Sequence, residues 1–292
     1  MIRATIGILA SQGGFVGLLD DYSGAEAAYS LRLLSSTYTG DAIRVRRASD
    51  NTEQDIGFVN NELDTSTLTT FCSGTNGFVK TWYDQSGNGY DATQTTAANQ
   101  PQIVSSGSVI NVNSKPAISF DGTNDSLLNT TLTASSTQSV FYVKKGANLS
   151  GNSNVFGFPT TIDNTQLGIY YWNSSPFSYG FNSWSGDSWG YDGADTEFLS
   201  QTLEMALFLN GNPSTSGVKL FINNTQKTLS QVRGTSTSRT MANGFRIGEG
   251  GVIQNNQNYD GWQQEIVIWS ADYSSTNRSG IQDNINDFYS IY

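Results

Sequence analysis

The chain has 292 residues, of which 37% are hydrophobic and only 14% are charged, and it carries a formal net charge of -10 at pH 7. This acidity argues against nucleic acid and anionic membranes as partners, because both are bound by clusters of Lys and Arg. The chain contains no histidine, which excludes His-dependent catalytic triads and His-ligated zinc. We therefore expect no metal and no cofactor, and any enzymatic chemistry would have to use carboxylates.

The composition favours an all-β protein. Its 30 glycines, together with abundant Ser, Thr and Asn, are typical of short strands joined by turns. No apolar run approaches the roughly 18 residues that a membrane helix needs. Cys72 is the only cysteine, so no intrachain disulfide can form and stability must come from packing.

The N-terminal residues 1–19 are predicted to form a docking arm, followed by a single domain over residues 20–292. The arm is apolar and interrupted by glycines, so it needs a surface on its own domain or on a neighbouring subunit. Only one basic residue precedes its apolar stretch, and we therefore expect no secretion signal.

Two short helices are predicted, one near each end of the domain. Residues 25–34 combine good helix formers with a Ser23 cap and Glu26 at the capping-box position. Within residues 274–292, Ile281, Ile285 and Phe288 recur at helical spacing, which predicts a closing helix.

Between these helices the sequence predicts short strands separated by turn residues. The predicted strands are 42–47, 54–58, 77–83, 116–120, 139–143, 167–172, 203–209, 218–222, 244–247 and 264–269. Helices do not alternate with these strands, and no repeat period is present. The pattern therefore predicts an antiparallel β-sandwich rather than a parallel sheet, a propeller or a solenoid.

Three motifs in the N-terminal half carry a family resemblance. They are Ala28-Tyr29-Ser30-Leu31-Arg32, Val45-Arg46-Arg47-Ala48-Ser49-Asp50 and Tyr83-Asp84-Gln85-Ser86-Gly87. They resemble motifs of the catalytic domain of α-L-arabinofuranosidase B, glycoside hydrolase family 54. Within the third motif, Asp84 and Gln85 are predicted to stabilise a turn rather than to catalyse, because an Asp side chain readily accepts from nearby backbone amides.

A second resemblance lies near the C-terminus. Residues 259–269, which read Tyr-Asp-Gly-Trp-Gln-Gln-Glu-Ile-Val-Ile-Trp, resemble the last strand of laminin-G-like jelly rolls. Both resemblances imply the same concanavalin A-like jelly roll, an all-β antiparallel sandwich with one or two short helices.

The resemblance also implies where a catalytic pair should lie. In the resembled enzymes the nucleophile is a Glu on a central strand soon after a stretch that corresponds to 168–174, but residues 177–187 contain no Glu. The acid/base is an Asp after an Ile-Gly-Gly turn, and here the turn reads Ile247-Gly248-Glu249-Gly250. The sequence therefore favours loss of the pair. If the protein is an enzyme, Glu249 with Asp187 or Asp192 is the expected substitute.

Residues 172–192 are rich in aromatic side chains interleaved with Asn, Asp and Ser. Flat rings beside polar groups suit the apolar faces and hydroxyl edges of sugars. The glycan-binding candidates are Trp172, Trp184, Trp189 and Tyr191. The alternative is that these rings fill the core or a subunit contact, where Tyr and Trp are also enriched.

The arabinofuranosidase-like N-terminal pattern also resembles domains of tailed-bacteriophage structural proteins. That resemblance implies a virion protein assembled in the host cytoplasm: a capsid decoration, head-fibre or tail-appendage module. Its expected partners are other virion proteins, contacted through residues 1–19, a host-surface glycan on the aromatic loops, and further copies of itself in a homo-oligomer. The alternative hypothesis is an α-L-arabinofuranosidase-like glycoside hydrolase that acts with a carboxylate pair.

Overall fold

A computed structural model describes most of the chain. It covers residues 14–133, 135–149, 151, 153–159, 166–172, 179–183, 188–191, 195–209, 218–233, 241–249 and 257–292. The helices are α1 (Leu18–Asp21), α2 (Thr65–Phe71), α3 (Asp195–Leu199) and α4 (Arg278–Tyr289), with a 3-10 turn at Ala97–Asn99. Within these ranges no helix has the length and apolar character needed to cross a membrane.

Short strands make up the rest of the regular structure. They are β1 (Ala27–Ser30), β2 (Ile43–Arg47), β3 (Glu53–Ile56), β4 (Phe58–Val59), β5 (Glu62–Leu63), β6 (Gly77–Trp82), β7 (Ala92–Thr93), β8 (Gln102–Ser105), β9 (Ser108–Val109), β10 (Asn111–Val112), β11 (Lys115–Pro116), β12 (Ile118–Asp121), β13 (Leu127–Asn129), β14 (Gln138–Gly146), β15 (Ser153–Pro159), β16 (Gln166–Tyr171), β17 (Tyr179–Ser183), β18 (Ser188–Tyr191), β19 (Thr202–Phe208), β20 (Lys219–Ile222), β21 (Thr225–Gln226), β22 (Ser230–Arg233), β23 (Phe245–Ile247) and β24 (Asp260–Trp269).

The strands form two stacked antiparallel layers. In the first, here called the helix-covered sheet because α4 packs on its outer face, β24 pairs with β14, β14 with β19 and β19 with β20. Strands β1 and β12 share the other edge of β24. The second, here the broad sheet, runs β3–β2–β6–β7–β13–β23–β15–β16–β17–β18–β22. Strand β8 joins the layers by pairing with both β6 and β12. The predicted antiparallel sandwich is confirmed.

The main core lies between the two sheets. Tyr142 of β14 meets Phe156 of β15 edge-on with ring centroids 4.9 Å apart, so aromatic rings interlock across the layers. A second apolar layer lies on the outer face of the helix-covered sheet, where Phe141 and Trp269 pack beneath Ile281 and Ile285 of α4. Because successive strand residues face opposite sides, the central strands β14 and β24 are buried on both.

The helix predicted over 25–34 is wrong, because this segment contains strand β1. Ala27 to Ser30 pair with Ile268 to Glu265 of β24, and all four residues are buried. Tyr29 belongs to the main core and Ala28 to the layer beneath α4. Local propensity favoured a helix, and pairing with a strand more than 200 residues away overrode it.

Other elements agree with the sequence. The closing helix is α4, and each predicted strand overlaps an observed one. The described part of the predicted arm rests on its own domain: Leu18 is buried, and the Leu19 amide donates to the Leu34 carbonyl at 2.8 Å. The remaining arm residues, 1–13, lie outside the described ranges.

Asp84 and Gln85 have the structural role predicted for them. Asp84 Oδ1 accepts from the amides of Ala28 and Ser86, and its Oδ2 accepts from the Tyr90 amide at 3.0 Å. The Gln85 side chain accepts from the Leu34 amide and donates to the carbonyls of Ser30 and Arg32. The turn thereby anchors the segment around β1.

The first motif also fixes a buried ion pair. Arg32 donates to both carboxylate oxygens of Glu265 in β24, at 2.8 and 3.0 Å. Ser30 Oγ donates to the same carboxylate at 2.8 Å, and the Tyr289 hydroxyl of α4 donates at 3.3 Å. This pair lies on the helix side of its sheet and ties β1, β24 and α4 together.

Candidate functional site

A buried carboxylate, Glu204, stands out in the middle of strand β19. Its side chain is fully buried and accepts hydrogen bonds on both oxygens. Oε2 accepts from the hydroxyls of Tyr142 at 2.5 Å and Tyr179 at 2.8 Å. Oε1 accepts from Thr202 Oγ1 at 2.7 Å and lies 3.3 Å from Lys144 Nζ. A buried charge needs such partners, so these four donors define a pre-organised anionic site.

The strand register explains how these groups meet. Glu204 is directly opposite Tyr142, and Thr202 is opposite Lys144, in the β14–β19 ladder. Side chains two residues apart point to the same face of a strand. Ala206 and Phe208 of β19 belong to the main core, so Glu204 points between the two sheets, where Tyr179 of the broad sheet reaches it.

Burial controls the protonation of the neighbouring groups. It raises the pKa of Tyr142 and of Tyr179 well above the usual value, and the Glu204 charge raises each pKa further. Both hydroxyls therefore keep their protons and act as donors. Burial lowers the pKa of Lys144, while the attraction of Glu204 opposes that change.

A second carboxylate lies nearby on α3. Glu197 accepts from the Tyr191 hydroxyl at 2.5 Å and is ion-paired with Lys227. Its main-chain carbonyl accepts from Lys144 Nζ at 3.2 Å. The Glu197 side chain is 31% exposed, whereas the Glu204 side chain is fully buried.

The predicted substitute pair is only partly described. Glu249 lies just beyond β23 and accepts from Arg246 Nη1 at 2.8 Å, so it forms a half-buried ion pair at the end of the strand. Asp187 and Asp192 lie outside the described residues. Their pairing with Glu249 stays a prediction.

The predicted glycan-binding aromatics occupy different environments. Trp172 is buried and meets Tyr170 edge-on at 5.0 Å. Tyr191 is buried, and its hydroxyl binds Glu197, while Trp189 packs half-buried against the main core. Trp184 lies outside the described ranges. Glycan contact by these rings stays a prediction. The burial of Trp172 and Tyr191 fits the alternative, that some of the rings fill the core.

Sequence reasoning missed Glu204 because it searched for the nucleophile only in residues 177–187. A usable signal was present: residues 203–208 of β19 are apolar except for one Glu. A charged residue inside a buried strand is expensive unless it is paired. In the described part of the chain, no group of three or more His, Cys, Asp or Glu is placed to hold a metal ion.

The family comparison agrees with the motifs at the N-terminus. Residues 22–152 match the family model described as "Alpha-L-arabinofuranosidase B, catalytic". The predicted resemblance to that catalytic domain is therefore confirmed over this part of the chain. No curated protein matches the chain by sequence.

Solved structures of arabinofuranosidases share the fold. An arabinofuranosidase complexed with arabinofuranosyl-α-1,2-xylobiose matches with a TM-score of 0.67 and 21% identity. A family 54 α-L-arabinofuranosidase soaked with a cyclic sulfate inhibitor matches with a TM-score of 0.67 and 20% identity. Both matches cover 92% of this chain. The chain spans 64% and 65% of the length of these two structures.

These findings correct the predicted function. A bacteriophage virion structural protein, whether capsid decoration, head-fibre or tail appendage, is wrong as the leading interpretation, because the matching family model and the solved structures that match with a TM-score of 0.67 are those of arabinofuranosidases. They support the alternative, an arabinofuranosidase-like glycoside hydrolase fold. The expectation of virion partners and of a virion location rested on the corrected class and has no other support.

Proposed function

We propose that this chain is an α-L-arabinofuranosidase-like glycoside hydrolase domain in which Glu204 is the nucleophile. The observation that carries the proposal is the fully buried Glu204 carboxylate, held by four donors inside a sandwich that shares the arabinofuranosidase fold. Buried ionisable groups with specific partners are concentrated at functional sites.

The alternative explanation for Glu204 is a purely structural ion pair. The chain offers a comparison within itself, because Glu265 is also buried and is satisfied by Arg32 in a bidentate pair. Glu265 also accepts from the hydroxyls of Ser30 and Tyr289, but its main partner is the rigid bidentate guanidinium. Glu204 has no bidentate partner, and three of its four donors are hydroxyls, two of them from tyrosines on strands of different sheets. Hydroxyls can reorient as a carboxylate loses charge, which suits a group that forms and releases a bond.

In a retaining mechanism Glu204 would attack the anomeric carbon as the bond from that carbon to the leaving oxygen breaks. A second carboxyl group would give its proton to the leaving oxygen. The resulting carboxylate would then take a proton from water. The water oxygen attacks the anomeric carbon, so that arabinose leaves and Glu204 is restored as a carboxylate.

Two described carboxylates are candidates for the proton donor, Glu197 and Glu249. Glu197 is favoured because Lys144 contacts both the Glu204 carboxylate and the Glu197 carbonyl. Glu249 occupies the turn in which the resembled enzymes have their acid/base, and Arg246 holds it at 2.8 Å.

The test compares Glu204→Gln, Glu197→Gln and Glu249→Gln on two substrates, 4-nitrophenyl and methyl α-L-arabinofuranoside. Loss of the nucleophile should abolish turnover of both. Loss of the proton donor should slow the methyl glycoside far more than the aryl one, because nitrophenolate leaves without protonation.

Circular dichroism of each variant establishes that it is folded. The proposal is wrong if the native chain hydrolyses neither substrate, or if Glu204→Gln retains native turnover.

A further inference from the structure

The Lys144 ammonium links Glu204 to helix α3. Its side chain is fully buried, and Nζ lies 3.3 Å from Glu204 Oε1. It also donates to the carbonyls of Glu197 at 3.2 Å and Phe198 at 3.1 Å. An ammonium group has three donors, so one contact to the carboxylate and two to α3 use its whole capacity.

Phe198 fixes the same helix over the site. Its ring is fully buried, stacks on Tyr171 with centroids 4.5 Å apart and lies 5.7 Å from the ring of Tyr179. Lys144 Nζ is 4.7 Å from the centre of the Phe198 ring. Phe198 therefore packs directly beside both a donor to Glu204 and its counter-ion.

The position of Phe198 depends on Gly146, which has no side chain. A Cβ at Gly146, two residues beyond Lys144 in β14, would lie 2.4 Å from a ring carbon of Phe198 and 2.8 Å from its carbonyl oxygen. Real Cβ atoms do not approach other atoms so closely. Gly146 thus provides the space into which Phe198 fits.

We infer that α3 (Asp195–Leu199) is a cover that closes over Glu204, and that Lys144 is the positioning residue that holds it there. This inference rests on the proposed function for its role in the reaction, since substrate must reach a carboxylate that is fully buried when α3 is in place. Only the open population binds substrate, so the cover raises KM in inverse proportion to the fraction of protein that is open.

The experiment uses three variants of the full chain. Lys144→Met removes the ammonium, and Gly146→Ala displaces Phe198 without substituting Glu204 or Lys144. Lys145→Met is the matched control. It removes the same charge one residue away, where the Lys145 side chain lies over the ring of Trp262. Amide hydrogen exchange of residues 195–199 measures opening of α3, and hydrolysis of 4-nitrophenyl α-L-arabinofuranoside gives kcat and KM separately.

We expect exchange at 195–199 to rise about tenfold or more in Lys144→Met, because hydrogen bonds to a charged donor are lost. Gly146→Ala should show a similar rise, and Lys145→Met should match the native chain. Gly146→Ala should lower KM several-fold with kcat within about twofold of native, whereas Lys144→Met should lower kcat as well.

If amide exchange at residues 195–199 in Gly146→Ala equals that of the native chain, the proposal that α3 is a cover is wrong. This conclusion holds even if Lys144→Met fails to fold. Faster exchange with an unchanged KM would also overturn it, because α3 would then not control access. Faster exchange with no hydrolysis by the native chain or by Gly146→Ala has a different meaning: the cover stands and the proposed function falls.

Discussion

Lys144 and Glu204 lie on adjacent strands of one sheet, and their side chains form an ion pair with both partners fully buried and Nζ 3.3 Å from Oε1. Their attraction offsets the cost of removing two charges from water only because hydroxyls and carbonyls satisfy the remaining hydrogen-bonding positions of both groups. Each residue therefore depends on the other for its stability in the core.

This dependence predicts a large coupling in a double-mutant cycle. Lys144→Met should destabilise the protein by about 3–5 kcal/mol, because it leaves the Glu204 charge buried without its counter-ion. Adding Glu204→Gln should remove part of that cost, so the double variant should be less destabilised than the sum of the single ones by at least about 1 kcal/mol. Urea unfolding of the four proteins measures the cycle, and strict additivity would contradict the prediction.

The second buried ion pair predicts a contrast between two arginines. Arg32→Met should cost about 3–5 kcal/mol, because the fully buried Glu265 would lose its bidentate partner. Arg44→Met is the control, since the Arg44 and Asp55 side chains are 40% and 31% exposed, and it should cost no more than about 1 kcal/mol. If thermal or urea unfolding gives the two variants the same loss in free energy of unfolding, burial does not make the Arg32 pair more stabilising than the exposed Arg44 pair.

Asp125 predicts a dependence of stability on pH. Burial, with the nearby charge of Asp121 adding to it, raises the pKa of Asp125 from 3.8 to about 7. The folded state therefore holds an extra proton between these values. The stability that this group contributes is fully present below about pH 4 and is lost as pH rises through about pH 7.

The variant Asp125→Asn should remove this dependence while still accepting from the Asp121 amide, which the native carboxylate does at 3.0 Å. The variant should gain about 1–3 kcal/mol relative to the native chain between about pH 4.5 and about pH 8. Urea unfolding at both pH values measures the difference. A constant difference across that range would mean that Asp125 titrates normally in the folded protein.

The anchoring turn predicts a stability loss on a nearly isosteric change. In Asp84→Asn one side-chain oxygen becomes an NH2 group, so the Tyr90 amide or the Ala28 amide loses its acceptor, at a cost of about 1–3 kcal/mol. Asp272→Asn is the control, because Asp272 accepts from a single amide, that of Ser274, in an exposed turn. Its cost should stay within about 0.5 kcal/mol, and a similar loss in both variants would contradict the anchoring role.

Local patterns in the sequence determined much of the architecture. Alternating and apolar runs bounded by turn residues located the strands, the spacing of Ile281 and Ile285 located α4, and the Tyr-Asp-Gln-Ser-Gly motif indicated a structural turn. These features depend on residues close together in the chain, where periodicity and turn chemistry carry the information.

Only the tertiary structure decided the remaining points. Residues 27–30 form a strand instead of a helix because β24, far along the chain, supplies their backbone partners. Glu204 became a candidate only when β14 brought Tyr142 and Lys144 to it and β17 brought Tyr179. Strand pairing and burial join segments distant in sequence, and no local pattern records which segments will meet.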